Sequence, residues 1–316
     1  MQFELEIIKW LQSLRNSFLD FLFQFFTIFG EELVVIGILG GIYWSIDKKI
    51  GEKLGISVFI SLGINSLLKL IIMRPRPFLV DSEIINLKES TSTGFSMPSG
   101  HTQSASTVFF GVYQFFRKKA LLITAIIITV FVAISRMYLG VHYLTDVLVG
   151  GLLGFIITYY LYRWLVKIDD LKKIYNIIMI ISIIGLVIIY VYNIIVANDT
   201  VFDSAKFYFN TEAMSVMLGT LVGFVLGVRI EKKYVQFSNH GVLWKNIIRF
   251  LLGIAVVMAV RIVLKEIFKI IVNPEELIDN QMFQSILASL LDFIRYVIMV
   301  LVGIGIYPLL FKKINL

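Results

Sequence analysis

ALLITAIIITVFVA, at residues 120–133, is a continuous apolar block without a charged side chain. Similar blocks stand at residues 150–160 (GGLLGFIITYY) and 177–191 (IIMIISIIGLVIIYV). A helix that spans a bilayer needs about 20 predominantly apolar residues, and each block lies within a stretch of that length. Alternating segments of about ten residues, which are typical of outer-membrane barrels, are absent from the sequence. The sequence therefore predicts an all-α, polytopic membrane helical bundle.

The composition of the whole chain supports this fold class. The 316 residues are 58% hydrophobic and only 16% charged, with a mean hydropathy of +0.85. Soluble domains carry about 25% charged residues, so an ordinary soluble enzyme and a disordered chain are both excluded. The chain contains no cysteine, which excludes disulfides and thiol chemistry.

The apolar pattern predicts ten helices joined by short polar loops. The first is amphipathic in its first half, and we expect that half to lie partly in the membrane interface. Residues 1–166 are expected to form a six-helix core, and residues 167–316 to supply about four additional transmembrane helices. The predicted helices are 8–29, 31–46, 52–73, 100–116, 120–139, 143–166, 174–197, 212–229, 247–271 and 284–310.

The formal net charge of +7 is explained by topology, and we expect no nucleic-acid partner. Cytoplasmic loops of membrane proteins are enriched in lysine and arginine, whereas the opposite turns here are acidic or nearly neutral, as at Glu31 and Glu32. Both termini are therefore expected to be cytoplasmic, and the loops at 74–99 and 136–142 are expected to face outward. The basic residues in the turns after helices 2, 4, 6 and 8 are Lys48, Lys49, Lys53, Arg117, Lys118, Lys119, Arg163, Lys167, Lys172, Lys173, Arg229, Lys232, Lys233, Lys245 and Arg249.

The first outward loop begins with two cations in the stretch KLIIMRPRP. Lys69 is followed seven residues later by Arg76-Pro77. Because proline cannot continue a helix, the third helix should end near Met73, with Lys69 in its last turn. Lys69 is then either a snorkelling lysine that complements the helix dipole or part of an anion site.

A second polar cluster, Pro98-Ser99-Gly100-His101, directly precedes the fourth helix. Ser99 suits an N-cap, and capping alone would explain it. A helix N-terminus with small residues also presents free N–H groups to an anion, and His101 could reach the same anion.

A third cluster consists of Ser135-Arg136, His142 and Asp146. Residues four apart share a helical face, so Asp146 is placed to hold one ring nitrogen of His142 and leave the other free. A structural histidine–aspartate pair is the alternative, but ionisable groups in a membrane are costly and by default indicate function. The remaining histidine, His240, is expected to lie in a cytoplasmic loop without a catalytic role.

Together the clusters supply the chemistry of a phosphate site. Arginine forks and backbone N–H groups match phosphate oxygens, one histidine can attack phosphorus, and the other can protonate the leaving oxygen. No grouping of residues suggests a metal site, so we expect positioning and positive charge to do the work.

These residues resemble the signature of the type 2 phosphatidic acid phosphatase superfamily, which includes the vanadium haloperoxidases. That signature is K-x6-RP, PSGH and SR-x5-H-x3-D. Every position and spacing agrees here. The resemblance covers roughly residues 1–166.

The resemblance implies a role for each matching residue. His142 would be the nucleophile that forms a phosphohistidine, Asp146 would orient it, and His101 would be the general acid. No metal or other cofactor is implied for hydrolysis, and the vanadate-dependent activity of the soluble haloperoxidases is not expected. The phosphate would be held by Lys69, Arg76, Ser99, Gly100 and Arg136.

The sequence therefore predicts an integral membrane phosphatase acting on the outer side. Its substrate would be a lipid phosphate monoester or diphosphate, of the undecaprenyl diphosphate, phosphatidylglycerol phosphate or phosphatidate type. A lipid phosphotransferase with the same site, and a transporter or scramblase with a vestigial site, are the alternatives.

The ninth predicted helix carries a stripe of cations, Arg261, Lys265 and Lys269, at four-residue spacing. Snorkelling or pairing with nearby acids explains this stripe, and a second contact to an anionic headgroup is the alternative. Asp292 and Arg295 are expected to form an internal ion pair.

Overall fold

The computed structural model describes residues 2–89, 92, 94–197, 204–239, 241–278 and 281–313, and its regular elements there are all helical. Each of the ten predicted helices overlaps at least one helix of the structure. The helices are α1 (Gln2–Ser13), α2 (Ser17–Thr27), α3 (Glu32–Gly41), α4 (Lys48–Ile72), α5 (Pro77–Val80), α6 (Gly100–Phe116), α7 (Lys119–Tyr138), α8 (Leu144–Leu165), α9 (Lys172–Ala197), α10 (Ser204–Ile230), α11 (Leu243–Ile271), α12 (Met282–Leu301) and α13 (Leu309–Lys313).

Seven helical segments in the described part of the chain are long and apolar enough to cross a membrane. α2 and α3 pass that test only as a pair bent by 51°, which would raise the number to eight. α6 has 17 residues, so at 1.5 Å per residue it is about 25 Å long, slightly less than the hydrocarbon thickness. The seven segments are Lys48–Val80, Lys119–Tyr138, Leu144–Leu165, Lys172–Ile195, Phe207–Val235, Leu243–Glu276 and Met282–Phe311. The protein is thus a multi-pass membrane protein.

The described residues pack into two compact units. Unit 1 comprises residues 1–39 and 53–168, and unit 2 comprises residues 40–52 and 169–316. Residues 40–52 pack with the later helices, although the sequence places them in the core. A two-domain division at residue 166 stays a prediction.

The prediction of one helix over residues 8–29 is wrong, because the structure has two helices, α1 and α2, in this region. Three residues separate α1 from α2. Asn16 ends the break, because its side chain accepts a hydrogen bond from the N–H of Leu19 at 2.9 Å and so caps a new helix.

α1 and α2 stay at one end of unit 1. Gln12 of α1 donates to the carbonyl of Tyr138, at the end of α7, at 3.1 Å. Asp20, near the start of α2, accepts a hydrogen bond from the Tyr138 hydroxyl at 2.6 Å, and Gly30, after its end, lies against the backbone of His101. The segment therefore returns to the end at which it began instead of crossing the unit.

Close helix packing in unit 1 depends on two glycines of α8. A Cβ added at Gly150 would lie 2.6 Å from the carbonyl oxygen of Ser99, and one added at Gly154 would lie 2.6 Å from that of Gln103. Small residues four apart let two membrane helices approach closely. This contact fixes the start of α6 against α8.

Unit 2 contains a similar stripe on α10. Added Cβ atoms at Gly219 and Gly223 would lie 2.4 Å and 2.5 Å from carbonyl oxygens of α12, and one at Gly227 would meet Ile304 at 3.0 Å. The backbones of α10 and α12 can therefore pack only because these side chains are absent.

Two ion pairs of unit 2 bear on the sequence predictions. Arg295 lies 2.7 Å from Asp292, which confirms the predicted internal ion pair. Lys269 lies 3.2 Å from Glu275, so pairing explains this member of the cation stripe.

Replacing Gly223 by alanine should destabilise the protein, because the new methyl group would overlap a backbone oxygen of α12. Overpacking of this kind costs about 1–3 kcal/mol. Gly37→Ala is the matched control: it also lies in a helix, but nothing stands within 4 Å of its Cβ position. We expect thermal unfolding in detergent to show a lower Tm for Gly223→Ala alone. Equal Tm values for the two variants would contradict the close α10–α12 contact.

Candidate active site

Helix ends and connecting segments bring the predicted site residues to one end of unit 1. Lys69 lies in the last turn of α4 and Arg136 in the last turn of α7. α6 begins at the same end with Ser99 as its N-cap, and α8 begins there with Asp146 in its first turn. The N–H of Ser99 donates to the backbone carbonyl of Asp146 at 3.0 Å, which joins the two helix starts.

His142 lies in the loop before α8 and not on the helix, so the expected shared helical face is wrong for this residue. The pair nevertheless meets, with Nδ1 of His142 3.4 Å from Oδ2 of Asp146. The same carboxylate oxygen accepts a hydrogen bond from the N–H of Tyr143 at 2.9 Å. This bond holds the carboxylate against the first turn of α8. The other ring nitrogen, Nε2, lies 3.4 Å from Nη1 of Arg76. One nitrogen thus faces a carboxylate and the other faces a cation.

Ser96 is a third partner of the His142–Asp146 pair. Its hydroxyl donates to Oδ2 of Asp146 and lies 3.4 Å from Nδ1 of His142. The residue is fully buried, so the hydroxyl is held between the two groups. It satisfies a carboxylate that water does not reach.

Two cations are oriented by backbone carbonyl groups of the loops before α6 and α8. Arg76 donates through Nε to the carbonyl of Gly94 at 2.9 Å and through Nη1 to that of Val141 at 3.0 Å. Lys69 donates through Nζ to the carbonyl of Phe95. Because carbonyl groups are neutral, these bonds orient the two side chains without neutralising their charges.

Arg136 brings a third cation, fully buried, to the same end. Its Nη1 donates to the hydroxyl of Thr27 at 2.9 Å. Its charge interacts with that of Arg76, and with His101 when that ring is protonated. Thr27 is the last residue of α2, so the segment before α3 helps to build the site.

The N-terminus of α6 has the predicted form. Ser99 caps the helix by accepting a weak hydrogen bond from the N–H of Thr102 at 3.5 Å. The first N–H groups of a helix have no intrahelical acceptor, so those of Gly100 and His101 can face an anion. Nε2 of His101 is buried without a hydrogen-bond partner among the described residues.

A buried polar network holds α6 to α4 below the site. Asn65 donates to the side-chain oxygen of Gln103 at 2.8 Å and to the carbonyl of Pro98 at 3.3 Å. Gln103 donates in turn to the carbonyl of Ser61 at 2.7 Å. Each group is satisfied, so the network fixes the position of the α6 N-terminus.

Sequence reasoning missed three residues around Asp146: Ser96, Arg74 and Glu4. Arg74 donates to Asp146 at 2.8 Å and to Glu4 at 2.6 Å. Arg74 stands two residues before Arg76 in the quoted RPRP stretch, and this repetition is a signal in the sequence. Glu4 carries only the weak signal of an acid on the buried side of an amphipathic helix.

The pKa of His142 is held well below its usual value of 6.5. Burial is the main cause, and the positive charges of Arg76, Arg136 and Lys69 add to it. A lowered pKa keeps the imidazole neutral near pH 7, and the neutral ring has a free electron pair.

No group of three or more histidine, aspartate or glutamate residues that could hold a metal ion occurs among the described residues. His240 lies outside the described residues, so its predicted loop position stays a prediction.

Comparison with known proteins identifies the family of the chain. Residues 52–170 match the PAP2 superfamily model, and residues 215–316 match the model described as PAP2 superfamily phosphatase, transmembrane extension. An undecaprenyl-diphosphatase of Sulfolobus acidocaldarius is 32% identical over 158 residues, which cover 48% of this chain and 73% of that protein. The chain belongs to the PAP2 superfamily. All three motifs lie within residues 52–170.

Two other relatives are matched over less than half of their own length. Human sphingosine-1-phosphate phosphatase 2 is 26% identical over 177 residues, so the match covers 53% of this chain but only 44% of that protein. Phosphatidylglycerophosphatase B of Bacillus subtilis is 42% identical over 74 residues, 21% of this chain and 36% of the relative. A crystal structure of a transmembrane PAP2-type phosphatidylglycerolphosphate phosphatase from Bacillus subtilis has a TM-score of 0.44 and 27% identity, with 54% of this chain and 88% of that chain covered.

The low pKa of His142 can be measured directly, because the chain has only three histidines. In protein labelled on histidine, NMR should show the His142 ring neutral well below pH 6.5, with the assignment made from His142→Ala. Lys69→Gln removes a nearby positive charge and should raise the pKa of His142. A titration of His142 at or above 6.5 in the unmodified protein would contradict the observed burial and charge.

Proposed function

We propose that the protein hydrolyses a lipid phosphate monoester or diphosphate through a phosphohistidine on His142. The arrangement of its ring supports this proposal most directly. Nδ1 faces Asp146 and Nε2 faces the cation Arg76, inside a membrane protein with no comparable cluster of site motifs elsewhere in its described part. A nucleophile held at one nitrogen by a carboxylate and aimed by the other at an anion site is suited to phosphoryl transfer.

In the first step, the electron pair of His142 Nε2 attacks phosphorus and the bond from phosphorus to the leaving oxygen breaks. Burial and the neighbouring cations disfavour the protonated form of His101, so we propose that the negative charge of the bound substrate offsets them and brings a proton to this ring. Protonated His101 then donates to that oxygen, which leaves as the lipid alcohol or, from a diphosphate, as the lipid monophosphate. Asp146 stabilises the positive charge that develops on the imidazole. The side chains of Lys69, Arg76 and Arg136 balance the negative charge on the transferred group. Ser99 and Gly100, at the N-terminus of α6, also stabilise it.

In the second step, water attacks the phosphohistidine and the nitrogen–phosphorus bond breaks. His101, now neutral, accepts the proton that water loses, and inorganic phosphate departs. His142 regains its electron pair and His101 its proton, so both side chains return to their starting states. No step needs a metal ion.

The substrate class follows from the setting of the site. The cations recognise phosphate oxygens, and a membrane-embedded enzyme meets substrates whose tails lie in the bilayer. Sphingosine-1-phosphate, undecaprenyl diphosphate, phosphatidylglycerol phosphate and phosphatidate all meet both requirements. We propose that such a lipid reaches the site laterally while its headgroup meets Arg76 and Lys69.

The charge distribution of unit 1 supports a site that faces outward. The ends of α6 and α8 far from the site carry Arg117, Lys118 and Arg163, whereas the site end carries Asp81 and Glu83. Because α1 packs at the site end, we propose that the N-terminus also lies outside, in place of the predicted cytoplasmic N-terminus. The C-terminus is proposed to be cytoplasmic, as the sequence predicts.

His142→Ala should abolish phosphate release, and His101→Ala should lower it by about 10²- to 10⁴-fold, the usual contribution of a general acid. The measurement is release of inorganic phosphate from the four lipids in detergent, with and without a chelator. Full activity of His142→Ala would overturn the mechanism, and loss of activity with chelator would overturn metal independence. Transfer of phosphate to an added alcohol in preference to water would make the enzyme a phosphotransferase.

The absence of cysteine makes the proposed topology easy to test. Single cysteines in place of Gln2, Glu83 and Lys118 should react differently with a membrane-impermeant maleimide, since all three positions are exposed. We expect Gln2→Cys and Glu83→Cys to be labelled in intact cells, and Lys118→Cys only after permeabilisation. Labelling of Gln2→Cys and Glu83→Cys from opposite sides would exclude an N-terminus on the site side.

A further inference from the structure

We propose that Glu4 and Arg74 hold Asp146 in its working orientation, so that the N-terminal helix α1 is part of the catalytic apparatus. We call these two residues the Glu4–Arg74 brace. The inference rests on the proposed function, because it assigns positioning residues to that reaction.

Arg74 is fully engaged in holding the start of α8. Its Nη1 donates to Oδ1 of Asp146 at 2.8 Å and to the hydroxyl of Thr145 at 2.6 Å. Its guanidinium group also lies 3.7 Å from the centre of the Tyr143 ring, within the range of a cation–π contact. Arg74 therefore contacts three of the first residues around the α8 N-terminus and is turned away from the phosphate-binding cations.

Glu4 fixes the other side of Arg74 and also the chain next to Asp146. Its Oε2 accepts Nη2 of Arg74 at 2.6 Å. Its Oε1 accepts both the N–H of Thr145 at 2.9 Å and the Thr145 hydroxyl at 2.7 Å. The Glu4 carboxylate thus binds both Arg74, which holds Asp146, and Thr145, which precedes Asp146 in the chain.

The brace is mostly shielded from water, so its hydrogen bonds and ion pairs compete little with solvent. Arg74 and Glu4 have side chains that are 15% and 11% exposed, and Asp146 is fully buried. The pKa of Glu4 is lowered, because hydrogen bonds from Thr145 and Arg74 outweigh the opposing effect of burial. Glu4 therefore carries its charge at neutral pH, and solvent weakens its pairing with Arg74 less than it weakens a surface pair.

The two carboxylate oxygens of Asp146 have different partners. Oδ1 accepts Arg74, while Oδ2 faces Nδ1 of His142. Without the brace, donors would hold the carboxylate at Oδ2 alone, through Ser96 and the N–H of Tyr143, and Oδ1 could move. The angle between Oδ2 and the imidazole would then no longer be fixed during attack. Reaction rates fall steeply when a catalytic group is displaced by about 1 Å. The brace touches neither Nε2 of His142 nor the residues proposed to bind phosphate, so its loss should affect the chemical step more than ground-state binding.

Glu4→Gln and Arg74→Lys test the brace. Glutamine keeps the size of Glu4 but loses its charge, and lysine keeps the charge of Arg74 but cannot bridge two carboxylates with a fork. Loss of an orienting partner typically costs about 10- to 100-fold, so we expect kcat to fall at least about 10-fold with KM changed less than about 2-fold. Glu6→Gln is the matched control, because Glu6 lies on the same helix with a side chain that is 59% exposed. Its contacts are with Gln2 and Lys9, not with Arg74 or Asp146. It should leave kcat unchanged.

Binding of two inorganic anions separates this inference from the proposed function. Orthovanadate adopts the five-coordinate geometry of phosphoryl transfer when a nucleophile holds it, whereas inorganic phosphate reports ground-state binding. In calorimetric titrations we expect both brace variants to bind vanadate about 10-fold more weakly and phosphate nearly as well as the unmodified protein. Weaker vanadate binding in a protein that hydrolyses none of the lipids would support the brace and overturn the proposed substrate class.

Two results would overturn the brace. One is kcat and vanadate affinity equal to those of the unmodified protein in both variants. The other is an equal loss of vanadate and phosphate binding together with a lower Tm, since this would show a role in folding alone.

Discussion

The carboxylate of Asp146 is charged at a position that water does not reach, and the structure around the site compensates that charge. An unpaired buried charge is prohibitively costly, so each lone pair of the carboxylate has to find a donor. Donors come from Ser96 in one loop, from the backbone of α8, and from Arg74 after α4. His142 occupies the remaining direction. The order of the site follows from this requirement, because the groups that neutralise the carboxylate also orient the imidazole.

Close approach of the helix backbones makes this arrangement possible. Gly150 lets α8 reach the backbone of Ser99, and Gly30 lets the chain after α2 reach that of His101. The start of α6 is thus held from both sides at distances that a Cβ would prevent. Packing and the proposed chemistry are therefore linked, since the same glycines that allow dense packing fix the helix end that we propose binds the anion.

Sequence reasoning recovered the fold class, the approximate helices and all the motif residues, because hydrophobic blocks and fixed spacings are local signals. It applied helical spacing to His142, which lies in a loop, and merged α1 with α2, because helix ends depend on single caps such as Asn16. It could not find the contacts of Glu4, which join residues 70 and 141 positions apart. Such pairings depend on how helices return to one end of the bundle, and no periodicity in the sequence encodes that.

The position of α1 has a consequence for how the molecule is made. Glu4 is synthesised 141 residues before its partner Thr145. Until then α1 must wait on the membrane surface, where its exposed aromatic residues Phe3 and Trp10 suit the headgroup region. The proposed catalytic centre can therefore form only when α1 meets the start of α8, and a chain without α1 would carry the motifs without an assembled site.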